Sequence, residues 1–158
     1  MDMERLQRVL SRVQGDEKTP AMPDKGQGER EELRALWIDA AEEQRRVESL
    51  MRRSAVCRQK LAPCAESLRR REAEMQCEYF LRFGDSPVRS AERRARQKGV
   101  LSALRELYAG MEATRKHLEA AAARYAAERF GETCAAFAEE ERRHAAAVRA
   151  LLEQTAHG

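Results

Sequence analysis

Phe80-Leu81-Arg82-Phe83-Gly84-Asp85-Ser86-Pro87-Val88-Arg89 is the stretch on which the reading of this chain turns. On either side lie long segments with helical periodicity and almost no Gly or Pro. Within it are the punctuation marks those segments lack. Gly84 can take the left-handed conformation that closes a helix. Asp85 or Ser86 can accept a hydrogen bond from the first N–H groups of a following helix, and Pro87 suits a first helical position. The stretch predicts two long helices meeting at a corner, either folded back as a hairpin or running on as a kinked rod.

Upstream, helix spacing is expected from about residue 29 to 83. Steps of three and four from Leu33 reach Leu36, Ala40, Glu43, Val47, Leu50, Ser54, Cys57, Leu61, Cys64, Leu68, Arg71, Met75, Glu78 and Arg82. Ten of those fifteen positions are apolar, a 3.5-residue repeat held over seven heptads. At 1.5 Å per residue such a helix would be roughly 80 Å long. Pro63 interrupts it, at a cost of about 3 kcal/mol. The stripe keeps its phase across Pro63, which favours a kink, with a true break there as the alternative. Downstream, a second helix is expected from about 87 to 155, with Val100, Leu104, Leu107, Met111, Thr114, Leu118, Ala121 and Tyr125 on one stripe. The phase slips through Ala120–Ala127 and resumes as Phe130, Cys134, Phe137, Glu141, His144, Val148 and Leu151. A bend or a change of packing partner is expected beside Gly131.

Composition agrees with this picture. The 158 residues are 36% charged and 5% aromatic, the mix of exposed helices and coiled coils. Narrow stripes of this kind bury little area, so a lone chain should be marginal and a second coiled-coil chain, like or unlike, is expected on the seam. The net charge of +3 gives weak overall attraction to polyanions. No apolar run approaches the ~20 residues of a membrane span. Residues 1–14 carry an amphipathic set (Leu6, Val9, Leu10, Val13) and are read as a short docking helix; Asp2 and Glu4 count against a mitochondrial leader. The N-terminus lacks the apolar h-region expected of a secretory signal. Residues 15–28, rich in Gly, Pro and charge, are read as a flexible linker. Cys57, Cys64, Cys77 and Cys134 show no C-x-x-C spacing, which suits small apolar roles in a reducing, intracellular setting.

Candidate chemistry is sparse. Glu141-Arg142-Arg143-His144 matches the E-x-x-H pattern of carboxylate-bridged di-iron bundles, and both Glu141 and His144 fall on the stripe. Such a site needs a second E-x-x-H, and the first helix contains no His. His117 and His157 have no companion ligands and are read as solvated. No nucleophile elbow or phosphate-binding Gly loop is present, so neither an enzyme nor a cofactor is expected. Arg89-Ser90-Ala91-Glu92-Arg93-Arg94-Ala95-Arg96-Gln97-Lys98 carries five basic residues against one acidic. It reads as a solvated face or as a contact for an acidic protein surface. Nucleic acid is disfavoured by the lack of stacking aromatics. Tyr79, Phe80 and Phe83 read as a shared face, capping a hairpin or anchoring a partner.

The stretch from Leu68-Arg69-Arg70-Arg71-Glu72-Ala73-Glu74-Met75 to Lys98 resembles a family of flagellar and ciliary coiled-coil proteins that includes the modifier-of-inner-arms proteins of the axoneme. Phe80 and Phe83 match its paired aromatics; Arg89 and Ala91–Arg96 match its basic restart of helix. Gly84-Asp85-Ser86-Pro87 departs from a segment that in the family stays helical. The resemblance implies a non-enzymatic part docking complexes on doublet microtubules, with tubulin's acidic tails meeting Arg89, Arg93, Arg94, Arg96 and Lys98. The expectation is thus an all-α, elongated coiled coil acting as an axonemal adaptor. A trafficking adaptor and a compact helical bundle holding a metal or small ligand at Glu141 and His144 are the alternatives.

Overall fold

The computed structural model describes residues 25–88 and 98–157. They form four α-helices and, among the described residues, no strand: α1 (Lys25–Arg53), α2 (Ala55–Phe83), α3 (Val100–Arg124) and α4 (Arg129–His157). The chain is all-α, as the periodicity dictates, but the two long helices expected are four of about 40 Å each. The docking helix at 1–14 and most of the linker lie outside the described residues. The linker's last residues are helical, since α1 starts at Lys25 and runs through Gly26 and Gly28. Gln27 reaches Glu31 one turn on, at 3.3 Å. Each Gly costs about 1 kcal/mol, too little to stop a helix with strong formers behind it. Residues 1–31 and 32–158 are separate units, and the bundle described below belongs to the second.

The first unexpected break is Ser54. Its backbone is extended (φ −143°, ψ 125°), and its hydroxyl accepts the N–H of Cys57 at 3.2 Å, an N-cap for α2. Arg58 Nε donates back to the Met51 carbonyl at 3.2 Å, serving the end of α1. The reversal therefore occurs at Ser54, and α2 runs unbroken through Pro63. A one-residue break that sits on a stripe position leaves the heptad count intact, so the repeat passes through the corner unmarked. The second break is the phase slip itself. Helix α3 ends at Tyr125, Glu128 N–H bonds to Tyr125 C=O at 2.9 Å, and Gly131 N–H bonds to Glu128 C=O at 3.0 Å. At Gly84 the expected closure is observed: φ is 79° and its N–H bonds to Phe80 C=O at 2.8 Å. Helix does not restart at Pro87; residues 86–88 and 98–99 are non-helical and α3 begins at Val100.

Ion pairs fix how the helices run. Along α1, Glu32 pairs with Arg124 and Asp39 with His117 (3.0 Å), so a step of seven up α1 matches a step of seven down α3. Arg69 meets Glu48 at 3.3 Å between α2 and α1, Arg70 meets Glu140 at 2.6 Å between α2 and α4, and Arg142 meets Glu119 at 3.3 Å between α4 and α3. Around the square α1–α2–α4–α3 every neighbouring pair is antiparallel, which also opposes their dipoles. Helices α2 and α3 are diagonal and run parallel, so the end of α2 and the start of α3 lie at opposite ends of the bundle. Val88 C=O is held by Arg34 near one end, and Lys98 C=O by Arg53 near the other. One long crossover of this kind is a known four-helix connectivity.

The stripes are satisfied within the one chain. One cluster gathers Val47, Leu50, Leu61, Leu68, Leu104, Leu107, Met111, Val148 and Leu151. The other gathers Leu33, Leu36, Met75, Leu118, Phe130 and Phe137, with Trp37, Tyr79 and Tyr125. Apart from half-buried Ser54, Glu78, Arg82, Val100 and His144, the stripe residues are buried here, because folding at Ser54 and at 125–128 turns two seams into four facing ones. No helix among the described residues is long and apolar enough to cross a membrane.

Gly131 is the residue this arrangement tolerates least well being changed. A methyl group there would lie 2.6 Å from the Tyr125 carbonyl carbon and 3.0 Å from the Ala126 nitrogen, and would collide with the Tyr125 oxygen. Backbone cannot yield as a flexible side chain can. Gly131→Ala should cost about 2 kcal/mol or more, whereas Gly110→Ala, which meets only the tip of Arg46, should be close to neutral; urea denaturation of both variants measures the contrast.

Candidate functional site

Between the two apolar clusters lies a polar layer built from one residue of each helix: Glu43 (α1), Arg71 (α2), Thr114 (α3) and Glu141 (α4). All four are buried, Arg71 and Glu141 completely. Each occupies a heptad position that its neighbours on the same helix fill with Leu, Met or Val. Arg71 Nη1 forms an ion pair with Glu141 and stands 3.8 Å from Glu43. Its guanidinium also lies over the Phe137 ring, 5.6 Å from the centroid. Nε and Nη2 make no hydrogen bond among the described residues.

One guanidinium faces two carboxylates, and the excess charge is costly in an apolar interior. Burial pushes the Glu43 carboxyl well above the usual range, Glu141's charge and hydrogen bond add to it, and Arg71 and the Thr114 hydroxyl only partly oppose. Burial and the Glu141 charge thus favour the protonated form of Glu43, which reduces the excess negative charge of the layer. Burial, with Glu141 and Glu43 nearby, also lifts the Cys64 thiol to about 11, an inert thiol. Burial pushes Cys134 up to about 12. All four cysteines are free and only Cys77 is exposed, in keeping with their apolar role.

His144 lies one turn beyond Glu141, half-buried, with its Nδ1 enclosed and without a hydrogen-bond partner. Burial holds its pKa low, against the pull of Glu141. It borders a polar cleft of about 430 Å³ between α2 and α4, lined also by Pro63, Ser67, Arg70, Glu140 and Arg143. Ser67 donates to Glu140 at 2.7 Å and Arg70 binds the other oxygen of the same carboxylate. Glu141 and His144 thus sit near one another, as the E-x-x-H spacing requires, but the charge beside Glu141 is a guanidinium. Among the described residues no three His, Cys, Asp or Glu side chains converge to hold a metal ion. His117, expected to be solvated, is exposed but bonded to Asp39.

The aromatic trio does not share a face. Tyr79 is buried and meets Phe83 edge-on at 4.9 Å, one turn apart on the core side, whereas Phe80, about 100° round the helix, is 54% exposed. Leu81 beside it is 72% exposed. Arg82, the last stripe position counted on the first helix, bonds Glu78 at 2.8 Å and Glu128 at 2.9 Å while stacking over Tyr125 and Phe130. It clamps the α3–α4 turn to α2. Of the basic run, Lys98 pairs with Glu106; Arg89, Arg93, Arg94 and Arg96 lie outside the described residues. No family model, curated protein or solved structure matches this chain.

Glu43 gives the layer a pH signature. Its folded pKa exceeds the unfolded value of 4.5, so its stabilising share is complete below 4.5 and drains away as pH rises through the folded value. His144 acts oppositely, favouring the fold above 6.5 and costing stability as pH falls through that value. A direct comparison with Glu43→Gln cancels the histidine. The variant should gain stability relative to the parent as pH rises above 4.5, read from urea midpoints.

Proposed function

We propose that this chain is a non-enzymatic adaptor, a self-supporting helical bundle whose business is on its surface. The observation that carries this reading is the filled centre. Where a ligand-binding bundle would keep space and open polar groups, Arg71 fills the level between Glu43 and Glu141 behind apolar layers on both sides. Chemistry on a substrate needs an accessible reacting group, and the buried thiols and the enclosed carboxylates are none. What the surface does offer is Phe80 and Leu81 side by side at the end of α2, with Val88 also 72% exposed. Neighbouring exposed apolar side chains of this size favour a protein contact.

The partner we propose is an acidic protein surface, contacted by the basic run Arg89–Lys98. The likeness of residues 68–98 to axonemal coiled-coil proteins makes the doublet microtubule the specific candidate. A bundle is not the rod that the likeness implied, so attachment would be at a point and not along a filament. A trafficking adaptor would use the same surface at another address.

Co-sedimentation with microtubules tests this directly. The parent protein should pellet in a salt-dependent manner, and Arg93→Gln, Arg94→Gln and Arg96→Gln together should weaken pelleting by about tenfold, in line with three lost charge contacts. Unchanged pelleting of the triple variant, or none by the parent, would remove tubulin from the reading.

A further inference from the structure

The two ends of the bundle differ in how their arginines are satisfied. Away from the Ser54 corner, arginines reach carboxylates on neighbouring helices: Arg70 binds Glu140, Arg124 binds Glu32 and Arg142 binds Glu119. At the corner the donors go to neutral carbonyls instead. Arg53 holds the Lys98 C=O, and Arg58 holds the Met51 C=O at 3.2 Å. A carbonyl accepts the hydrogen bond and leaves the charge uncancelled, so both guanidinium groups stay positive and are fixed in place. Arg52, Lys60 and Arg105 are exposed and have no ion pair among the described residues. The acidic side chains within two turns of this end, Glu48, Glu106 and Glu153, are already engaged by Arg69, Lys98 and Arg149. Five cations from α1, α2 and α3 therefore share one end without a counter-charge of their own. Cations so placed repel one another, and an anionic partner relieves that repulsion.

We infer that the Ser54 end of the bundle is a docking surface for an acidic polypeptide segment, a run of Asp and Glu side chains met by Arg52, Arg53, Arg58, Lys60 and Arg105. The inference rests on the acidic partner proposed above and gives it a second contact, on the folded helices. That contact is continuous with the basic run, because Arg53 ties Lys98, the run's last residue, to this end. Four of the five cations are arginines, whose planar fork meets a carboxylate through two parallel N–H groups. Other polyanions fit less well. Among the described residues no exposed aromatic stands at this end to stack on a nucleic-acid base. Val56 is the one large apolar side chain exposed there, too little to enter an anionic bilayer.

A fluorescently labelled oligoglutamate peptide is the probe, read by anisotropy on the full chain at low ionic strength. Arg52→Gln, Lys60→Gln and Arg105→Gln together remove exposed side chains that make no ion pair within the fold, so helical circular dichroism should match the parent's. The parent should bind the peptide, and this end variant should bind about tenfold more weakly or worse. Lys116→Gln, Arg129→Gln and Arg143→Gln remove the same charge elsewhere on the bundle, and their combination should stay within about twofold of the parent. A parent that ignores the peptide, an end variant that binds like the parent, or a control that loses as much would each overturn the inference. So would a parent that prefers duplex DNA or phosphatidylserine vesicles to the peptide. Peptide binding lost only with Arg93→Gln, Arg94→Gln and Arg96→Gln would overturn it and leave the proposed function standing. Binding through this end by a protein that does not pellet with microtubules would uphold it and remove tubulin alone.

Discussion

A single buried guanidinium sets the terms for this fold. Arg71 is wholly enclosed, and its charge is met only if α1 and α4 deliver Glu43 and Glu141 to the same level. Leucine stripes tolerate sliding, because one heptad looks much like the next. A slip of seven residues moves a helix about 10 Å and would strand the charge, at a cost of about 3–5 kcal/mol. The layer adds little to stability compared with apolar filler of the same volume, but it penalises wrong registers heavily. The surface pairs Glu32–Arg124, Asp39–His117 and Arg142–Glu119 repeat the same register on the outside, where each contributes little.

Two corners make that register attainable within one chain. Ser54 turns α1 into α2 with one non-helical residue, its hydroxyl replacing a lost helical bond. Between Tyr125 and Gly131 the chain turns again, and the absence of a side chain on Gly131 lets the new helix pass against the Tyr125 carbonyl. Arg82 then ties this second corner to α2 through two carboxylates and two aromatic faces. With neighbours all antiparallel, the α2–α3 connection has to travel from end to end. The exposed Phe80 and Leu81 lie where it departs, so the proposed contact surface is a consequence of the topology.

Much of the core was readable from spacing alone. The apolar heptad residues from Leu33 to Leu151, half-buried Val100 apart, are buried as their period demands, and Gly84 closes α2 in the left-handed conformation. Even the four layer residues stood out as polar side chains at apolar positions. What could not be read was that they meet. A 3.5-residue repeat records which face of a helix is buried and not what lies opposite. A corner one residue long, placed on the repeat itself, is invisible to any count. Arg52 and Arg53 followed by Ser54, basic residues at a helix end and then a capping hydroxyl, were the available local signal. Tyr79, Phe80 and Phe83 misled for a related reason: spacing by four puts Tyr79 and Phe83 on the core side, and Phe80, one residue on, falls off it.

The sequence by itself determined that this protein is helical, which side of each helix is apolar, and where Gly84 ends one of them, because those are properties of the backbone and of local side-chain order. Only the tertiary structure decided that the stripes face each other inside one chain, and that Glu43, Arg71, Thr114 and Glu141 form a single polar layer. Those outcomes depend on contacts across as many as 98 positions of sequence, between Glu43 and Glu141, where long-range charge and volume, not local propensity, choose the partner.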